Sequence, residues 1–293
     1  MSDRTHPPGF ELSGPARLRS PLILNSPHSG RDYPEHFLKL SKLDASALRR
    51  SEDAFVDELL APACAHGVPL MRVLFPRAFL DVNREAYELD PRMFAGRLPP
   101  YVNSRSVRVA GGLGTIPRIV SDREEIYAKP LNVEEALSRI ERHHKPYHAA
   151  LKQLLQRVRH QFGNAVMLDC HSMPSLPRGS SEKIKADFVL GDRYGTSCAP
   201  GILDIVHKTL ESFGYRVVRN KPYAGGFITE HYGAPAQGTH VLQLEVNRAL
   251  YLNEQTYEKN NDFDVVAQHL GLITGALLTH LDAALDVRPL AAE

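Results

Sequence analysis

The feature of the sequence that most restricts its fold is an alternation of short apolar runs with longer helical patterns. The clearest short run covers residues 22–26 and stops at Pro27, and the clearest helical pattern covers residues 133–162. Within the second pattern, apolar side chains recur at steps of three and four, which places them in one stripe along a helix. Strands that alternate with long helices indicate an α/β fold, with a mixed, mainly parallel sheet covered by helices on both faces.

The remaining elements are predicted from the same patterns. A helix is expected over residues 44–66, ended by Gly67, and Pro146 should kink or split the helix at residues 133–162. The other predicted elements are strands at 68–74, 79–82, 165–169, 188–190, 215–218 and 241–246, and helices near 202–213 and 263–285. Residues 87–123 are rich in Gly, Pro and Arg, which predicts a long functional or mobile loop.

Domain organisation is predicted from the lack of any linker-like stretch. We expect a single domain over residues 1–293, with a core at about 21–257. Residues 1–20 would then form an N-terminal extension, and residues 258–293 would contain the C-terminal helix.

Charge and cysteine content restrict the partners and the compartment. The chain has 35 basic and 34 acidic residues, a net charge of +1, so it lacks a field that would attract nucleic acid or an anionic membrane. No stretch is apolar for long enough to span a bilayer, and Met1 to Ser20 lacks the apolar centre of a signal peptide. Cys64, Cys170 and Cys198 are an odd number without a Cys-x-x-Cys pair. These features predict a cytoplasmic protein with reduced thiols and a small-molecule partner.

Polar side chains directly follow several of the predicted strands. Ligands in open α/β sheets collect beyond the carboxyl ends of the strands. Four such places are found, at residues 27–30, 81–84, 169–172 and 243–248. Each contributes chemically capable side chains, and we expect them to lie at the same end of the sheet.

His28 and His171 have the residue type and the position of metal ligands. A catalytic zinc site needs three imidazole or carboxylate ligands and one position left to water. Both histidines are predicted to lie where a strand opens into a loop, and the third ligand should be a carboxylate near the next helix. Glu52 and Asp53 lie there, and we favour Asp53. The competing interpretation is that the histidines are structural and that the acid complements a helix dipole.

Glu245 is the candidate general base. A carboxylate must accept a proton from the attacking water and pass it to the leaving amine. Strand alternation places Glu245 on the face opposite Leu244 and Val246. A solvent-facing residue on an edge strand is the alternative.

Arg84, Arg118 and Arg248 are the candidate substrate-binding residues. Each lies near a predicted strand end or in the Gly-rich connection. A guanidinium binds a carboxylate through two parallel hydrogen bonds, so these arginines suit an acidic amino-acid derivative. An ordinary surface position is the alternative for each of them.

His144 and His148 have the i, i+4 spacing of a helical zinc pair. The segment lacks the adjacent glutamate of that motif and contains Pro146. Both histidines also fall at or near the apolar stripe of the helix. We therefore interpret them as core or interface residues.

Several segments together resemble the N-formylglutamate amidohydrolase (deformylase) family. The similarity extends from about Pro21 to about Tyr257, with the order and spacing of the segments matching as well. The matching segments are residues 25–31, 51–59, 81–84, 168–174, 225–229 and 243–248.

This resemblance implies a fold similar to zinc carboxypeptidases and zinc-dependent amidases, of the phosphorylase/hydrolase-like type. It also implies Zn²⁺ held by His28, an acidic residue and His171, with Glu245 as general base. The implied reaction is hydrolysis of N-formyl-L-glutamate to L-glutamate and formate, a step of histidine degradation.

Further site residues follow from the resemblance and from the mechanism that we expect. The pair Asn83 and Arg84 resembles the carboxypeptidase pair that binds a substrate carboxylate, and Ser172 is included among the substrate-binding residues. His231 or an arginine would stabilise the oxyanion. Carboxypeptidases place a glutamate three residues after the first histidine, where this chain has Arg31. The acidic ligand is therefore Asp53, Glu52 or Asp32.

Four alternatives remain open at this point. A cysteine hydrolase using Cys170 would need a base other than His171, because neighbours in a strand point to opposite faces. A non-catalytic dicarboxylate-binding protein would keep the arginines without the chemistry. A related amidase could prefer another acyl group, since one methylene changes specificity by only about 1–3 kcal/mol, and another divalent transition metal could replace zinc.

Overall fold

A computed structural model of the chain describes residues 9–120, 124–176 and 185–286. The strands are β1 (Phe10–Ser13), β2 (Leu22–Ser26), β3 (Leu70–Val73), β4 (Phe94–Ala95), β5 (Leu131–Asn132), β6 (Ala165–Met173), β7 (Phe188–Gly191), β8 (Val217–Arg219), β9 (Thr239–Asn247), β10 (Leu252–Asn253) and β11 (Glu258–Lys259). The α-helices are α1 (Glu35–Leu40), α2 (Ala45–Arg49), α3 (Val56–Leu59), α4 (Ala61–Cys64), α5 (Val107–Ala110), α6 (Val133–Arg139), α7 (Lys145–Phe162), α8 (Pro200–Ser212), α9 (Phe227–Tyr232) and α10 (Phe263–Asp286). Short 3₁₀ turns cover Pro91–Met93, Pro235–Gln237 and Arg248–Leu250.

The main sheet has seven strands in the order β1-β3-β2-β6-β9-β7-β8. β2 pairs with β6, β6 with β9, and β7 with β8 in parallel, whereas β7 runs antiparallel to β9. Helices flank this sheet, so the predicted α/β class with a mixed, mainly parallel sheet is confirmed. Among the described residues, no helix combines the length and the apolar character needed to cross a membrane.

The chain folds into two compact units. Among the described residues, the first comprises residues 9–11, 27–52 and 72–151, and the second comprises residues 12–26, 53–71 and 152–286. The single domain expected from the sequence stays a prediction. Parts of the predicted N-terminal extension, long loop and C-terminal segment lie outside the described residues.

The second unit contains an extensive apolar core. Alternate residues of its central strands, including Leu24, Leu168, Leu242 and Leu244, point to one face and are buried there. Helices α3, α4, α8 and α10 contribute apolar side chains to the same cluster. The opposite face of these strands is consequently the one on which polar side chains can be grouped, because successive residues of a strand point to opposite sides.

The helix predicted over residues 44–66 is wrong, because the segment forms three short helices. Phe55 has a left-handed backbone (φ 61°), which interrupts helical geometry. Glu52 and Asp53 lie in this interruption, and both side chains are buried. The hydrogen bonds of these two buried acids therefore prevent the continuous helix that the apolar pattern of residues 44–66 predicts.

Two predicted strand limits are also corrected. Residues 79–82 form turns rather than a strand, since the N–H of Phe79 donates to the carbonyl of Pro76 and that of Asp81 to Thr115. β6 continues to Met173, so His171 lies within a strand and not in a loop after one.

The predicted break near Pro146 is confirmed, and it takes the form of a widened helical turn just before the proline. A π-helical turn covers Ile140–His144, and the N–H of Lys145 donates to the carbonyl of Ile140. Proline has no N–H to offer its preceding turn, and a widened turn accommodates its ring. The Nε2 atoms of His144 and His148 lie 2.9 Å and 2.8 Å from the carbonyl oxygens of Arg84 and Val82, a structural role for both rings.

Candidate active site

His28 is held by a carboxylate within the first unit. Its Nε2 atom lies 2.7 Å from Oδ1 of Asp81, and both side chains are buried. Although burial disfavours the charged carboxylate, Arg77, Arg84 and His28 hold the pKa of Asp81 well below its usual value. Because ionised Asp81 only accepts hydrogen bonds, Nε2 of His28 is its donor, which fixes the ring orientation.

His171 has a similar arrangement within the second unit. Its Nε2 atom lies 3.1 Å from Oδ2 of Asp169, within ion-pair distance although not aligned as a hydrogen bond, and its Nδ1 atom lies 2.9 Å from Oδ2 of Asp53. Asn25 donates from Nδ2 to Oδ1 of Asp169 at 2.8 Å. Burial disfavours the charged ring, but Asp169 and Asp53 raise the pKa of His171 well above its usual value.

Asp53 is held by two further side chains. Ser172 donates from Oγ to Oδ1 of Asp53 at 3.1 Å, and Arg248 donates from Nε to Oγ of Ser172 at 2.9 Å. Arg248 also donates from Nη2 to Oδ1 of Asp53 at 3.3 Å. Burial opposes the charge of Arg248, but Tyr257 and Asp53 raise its pKa, so it stays cationic. Ser172 and Arg248 thus directly contact Asp53, the acid that the sequence favours as metal ligand.

His28, Asp53 and His171 form a group that could hold a metal ion. One ligand atom of each lies within 4.8 Å of the others, and all three residues are buried. Two imidazoles and one carboxylate match the donor set of a catalytic zinc site. The histidine–carboxylate contacts of Asp81 and Asp169 are the outer contacts that metal-binding histidines ordinarily make. The residues present therefore fit a divalent cation.

The other two acids named from the sequence are placed differently. Glu52 is buried and accepts from the hydroxyl of Tyr33 at 2.5 Å and from Nε of Arg49 at 3.2 Å. Burial raises the pKa of Glu52, against the effects of Tyr33 and Arg49. Asp32 is exposed. Among the described residues, the group that could bind a metal contains Asp53 and neither of these acids.

Glu245 lies next to His171 in the sheet. The two residues are register partners on β9 and β6, and Val189 on β7 pairs with Glu245 from the other side. Glu245 is 7% exposed, and Gln243 donates from Nε2 to its Oε1 at 2.9 Å. A buried carboxylate beside a possible metal ligand has the placement that a general base requires.

Asn83 and Arg84 lie beside Asp81, which holds His28. The N–H of Asn83 donates to Oδ1 of Asp81 at 2.8 Å. Arg84 donates from Nε to the carbonyl of Leu113 at 2.7 Å and from Nη1 to the carbonyl of Asn83 at 2.6 Å. Burial lowers the pKa of Arg84 to about 10. The structure therefore places this pair near a predicted ligand, with much of the guanidinium already engaged.

Arg118 and His231 contact residues that do not belong to the predicted site. Arg118 donates from Nε to Asp90 at 3.0 Å and from Nη1 to Glu125 at 3.1 Å. His231 is exposed on α9, with its ring stacked on Phe227 at 4.9 Å between centroids. Burial and then Lys152 lower the pKa of His231. The roles given to these two residues from the sequence stay predictions.

Three supporting residues were missed from the sequence, namely Asp81, Asp169 and Gln243. Strand alternation could have found two of them, because residues i and i−2 of a strand share a face. Asp169 precedes His171 by two positions, and Gln243 precedes Glu245 by two positions. Asp81 gives no such signal, since it reaches His28 from a turn.

Changing Asp169 to Asn is expected to weaken metal binding without abolishing it. Asn keeps the shape but removes the charge that supports the His171 ring, and such outer contacts are worth about 10–100-fold in metal affinity. A zinc titration against a competing chelator measures the effect. Asp192→Asn is the matched control, because Asp192 is a buried aspartate that bonds Asn220 instead. Equal affinities in the two variants would contradict the supporting role.

Comparison with known proteins settles the family. The model of the N-formylglutamate amidohydrolase family matches residues 20–252, well over half of the chain. The chain belongs to the N-formylglutamate amidohydrolase family. The resemblance drawn from short segments of the sequence is thereby confirmed.

Individual members of the N-formylglutamate amidohydrolase family show the extent of the similarity. The chain is 30% identical over 240 residues to an N-formylglutamate deformylase of Pseudomonas putida, covering 80% of this chain and 83% of that protein. It is 29% identical over 245 residues to an N-formylglutamate deformylase of Pseudomonas aeruginosa, covering 82% and 85%. The crystal structure of N-formylglutamate amidohydrolase from Ralstonia eutropha JMP134 is 36% identical with a TM-score of 0.87, covering 94% of this chain and 99% of that one.

Proposed function

We propose that this chain hydrolyses the amide bond of N-formyl-L-glutamate to L-glutamate and formate, in a metal-dependent reaction. The observation that carries this proposal is the buried group of His28, Asp53 and His171 in a member of the N-formylglutamate amidohydrolase family. Glu245, the register partner of His171, adds a carboxylate that can move protons.

We assign the metal ligands to Nδ1 of His28, a carboxylate oxygen of Asp53 and Nδ1 of His171, and Zn²⁺ is the ion that best fits them. The Nε2 atoms of both histidines already face Asp81 and Asp169, which supports the choice of Nδ1. When bound, such an ion lowers the pKa of water and polarises a carbonyl group, which is the chemistry that amide hydrolysis needs.

Glu245 moves the protons in the proposed reaction. Its carboxylate accepts a proton from water as the water attacks the formyl carbon, and then delivers that proton to the nitrogen of the leaving glutamate. The low exposure of Glu245 reduces competition from bulk water, and the Nε2–H of Gln243 donates to one of its oxygens. Formate and the free amine are the products.

Asn83 and Arg84 remain our choice for a substrate carboxylate, because a guanidinium and an amide together supply several donors. Arg118 stays a weaker candidate, since two acids already engage it. The contacts of Ser172 and Arg248 instead support a role in holding Asp53. His231 remains a proposed donor to the oxyanion.

The test is a formate-release assay on the purified protein together with metal analysis. The panel should contain N-formyl, N-acetyl and N-succinyl derivatives of L-glutamate and L-aspartate, each with and without added zinc. We expect N-formyl-L-glutamate to have the highest kcat/KM and a chelator to remove the activity. Binding of an N-acylated acid without any product, even with zinc, would instead indicate a non-catalytic binding protein.

Changing Cys170 to Ala should leave turnover unchanged. The side chain lies in the apolar core on the face opposite His171, and burial raises the pKa of its thiol well above the usual value. The free energy of unfolding should fall by about 1 kcal/mol from the lost packing, measurable by urea denaturation. Loss of formate release in a folded C170A protein would support a cysteine hydrolase.

We also propose a cytoplasmic location. Cys64, Cys170 and Cys198 are all thiols rather than disulfides, and Cys170 and Cys198 are buried. A reducing compartment keeps such thiols in this form.

A further inference from the structure

Gln243 lies beside the candidate base on the same face of the sheet. It precedes Glu245 by two positions on β9, and only 4% of its surface is exposed. Its Nε2 atom donates to Oε1 of Glu245 at 2.9 Å. A side chain of this length that is buried next to a reacting group is placed to control that group's orientation.

The orientation of the Gln243 amide is decided by a backbone donor. The N–H of Gly226 donates to Oε1 of Gln243 at 2.7 Å, and the hydroxyl of Thr229 lies 3.4 Å from the same oxygen. A backbone N–H can only donate, so the atom facing it must be the amide oxygen. The NH₂ group is consequently directed at Glu245, where it meets an acceptor.

Glycines allow the backbone of Gly226 to come this close. Gly191 on β7 is the register partner of Gln243. A Cβ atom on Gly191 would lie 2.7 Å from the carbonyl carbon of Ala224 and 2.8 Å from the nitrogen of Gly225. Gly225 itself has φ +125°, a conformation that side chains rarely adopt. This close passage of residues 224–226 over the strand brings the N–H of Gly226 to Gln243.

We infer that Gln243 is a positioning residue for catalysis, which directs the carboxylate of Glu245 through an amide whose orientation is set by Gly226. This inference rests on the proposed role of Glu245 as general base. Asp169 has the same relation to His171, two positions earlier on the neighbouring strand. On both β6 and β9, a polar residue two positions before the candidate site residue therefore contacts that residue.

The experiment compares three variants of the full-length, zinc-loaded protein with N-formyl-L-glutamate as substrate. Gln243→Met keeps the length and removes both hydrogen bonds, and we expect kcat to fall by about 10–100-fold as the base loses its position. Gln243→Glu keeps the length and the acceptor for Gly226 but presents a carboxylate to Glu245. Its kcat should fall further than that of Q243M, because two like charges at this distance repel each other.

Thr229→Val is the matched control, because it removes a hydroxyl that faces the same amide oxygen but leaves the donor to Glu245 in place. We expect kcat of T229V to stay close to the wild-type value. KM and zinc content should be unchanged in Q243M and T229V. Q243M should have a lower melting temperature, because Gly226 and Glu245 each lose a hydrogen bond to Gln243. A purely structural role would instead lower zinc content together with stability and would make kcat of Q243M lower than that of the better matched Q243E.

Two outcomes overturn the inference. One is a wild-type kcat in Q243E, which is decisive even if Q243M does not fold. The other is an equal loss of kcat in Q243M and T229V. Failure of the proposed function is distinguishable, because it would appear as activity in a variant that lacks the carboxylate of Glu245. An inactive Glu245→Gln together with fully active Gln243 variants would remove only the positioning role.

Discussion

Replacing Glu245 with Gln is expected to lower kcat by roughly 10²–10⁴-fold, the usual contribution of a general acid–base group. Gln has the same length and can still accept a hydrogen bond from Gln243, but its neutral amide cannot take up a proton from water. KM should change little, because the substitution removes proton transfer and not the groups proposed to hold the substrate carboxylates. Steady-state formate release gives both constants.

Metal analysis and a matched substitution complete the Glu245 experiment. The E245Q protein should bind zinc as tightly as the unchanged protein, since Glu245 is not in the group of proposed ligands. Glu254→Gln is a suitable control, because Glu254 accepts hydrogen bonds from Ser175 and has no proposed role in proton transfer. Full activity of E245Q would exclude Glu245 as the base.

Replacing His171 with Ala should abolish tight metal binding and reduce activity by at least about 10³-fold, since the cation contributes several kcal/mol to amide hydrolysis. The variant removes one of the three proposed ligands and leaves Asp53 and Asp169 without the ring between them. His28→Ala should have the same effect, because it removes another of the proposed ligands. Zinc content after dialysis and formate release are the two measurements.

His144 provides the control for the histidine substitutions. It is also a buried histidine, but its Nε2 atom lies against the carbonyl oxygen of Arg84, outside the group of proposed ligands. His144→Ala should lower the free energy of unfolding by about 1–3 kcal/mol, the cost of a buried acceptor left without its donor, and should leave the zinc stoichiometry intact. An H171A protein that still holds zinc tightly and turns over substrate would contradict the assignment of the metal site.

Local patterns predicted the parts of the fold that depend on local rules. The apolar run of β2 has the limits expected for it, and the strongly periodic segment at residues 133–162 is helical with a disturbance next to Pro146. The helix expected over residues 44–66 failed because buried contacts of Glu52 and Asp53 compete with helix formation there. The spacing of apolar residues along the chain does not reveal such contacts, because they join residues far apart in the sequence.

The candidate site also combines residues that the sequence predicted with contacts that only the structure revealed. Residue type and strand alternation were enough to nominate His28, His171 and Glu245 as candidates, because imidazole and carboxylate groups are the ones that a catalytic zinc site uses. Alternation also implies the pairs Asp169 with His171 and Gln243 with Glu245. The contacts of Ser172 and Arg248 with Asp53 have no sequence signature, since the three residues come from distant parts of the chain.

The sequence alone therefore determined the class of fold, the family and the kinds of side chain that we propose for the chemistry, since each of these depends on residue type and short-range spacing. Only the tertiary structure distinguished the contacts of the two neighbouring acids, Glu52 and Asp53. Glu52 and Asp53 are adjacent, acidic and buried, but one bonds Tyr33 and Arg49 whereas the other bonds His171. The physical reason is that the direction of a side chain beside the left-handed Phe55 is set by long-range hydrogen bonds, which no local pattern encodes.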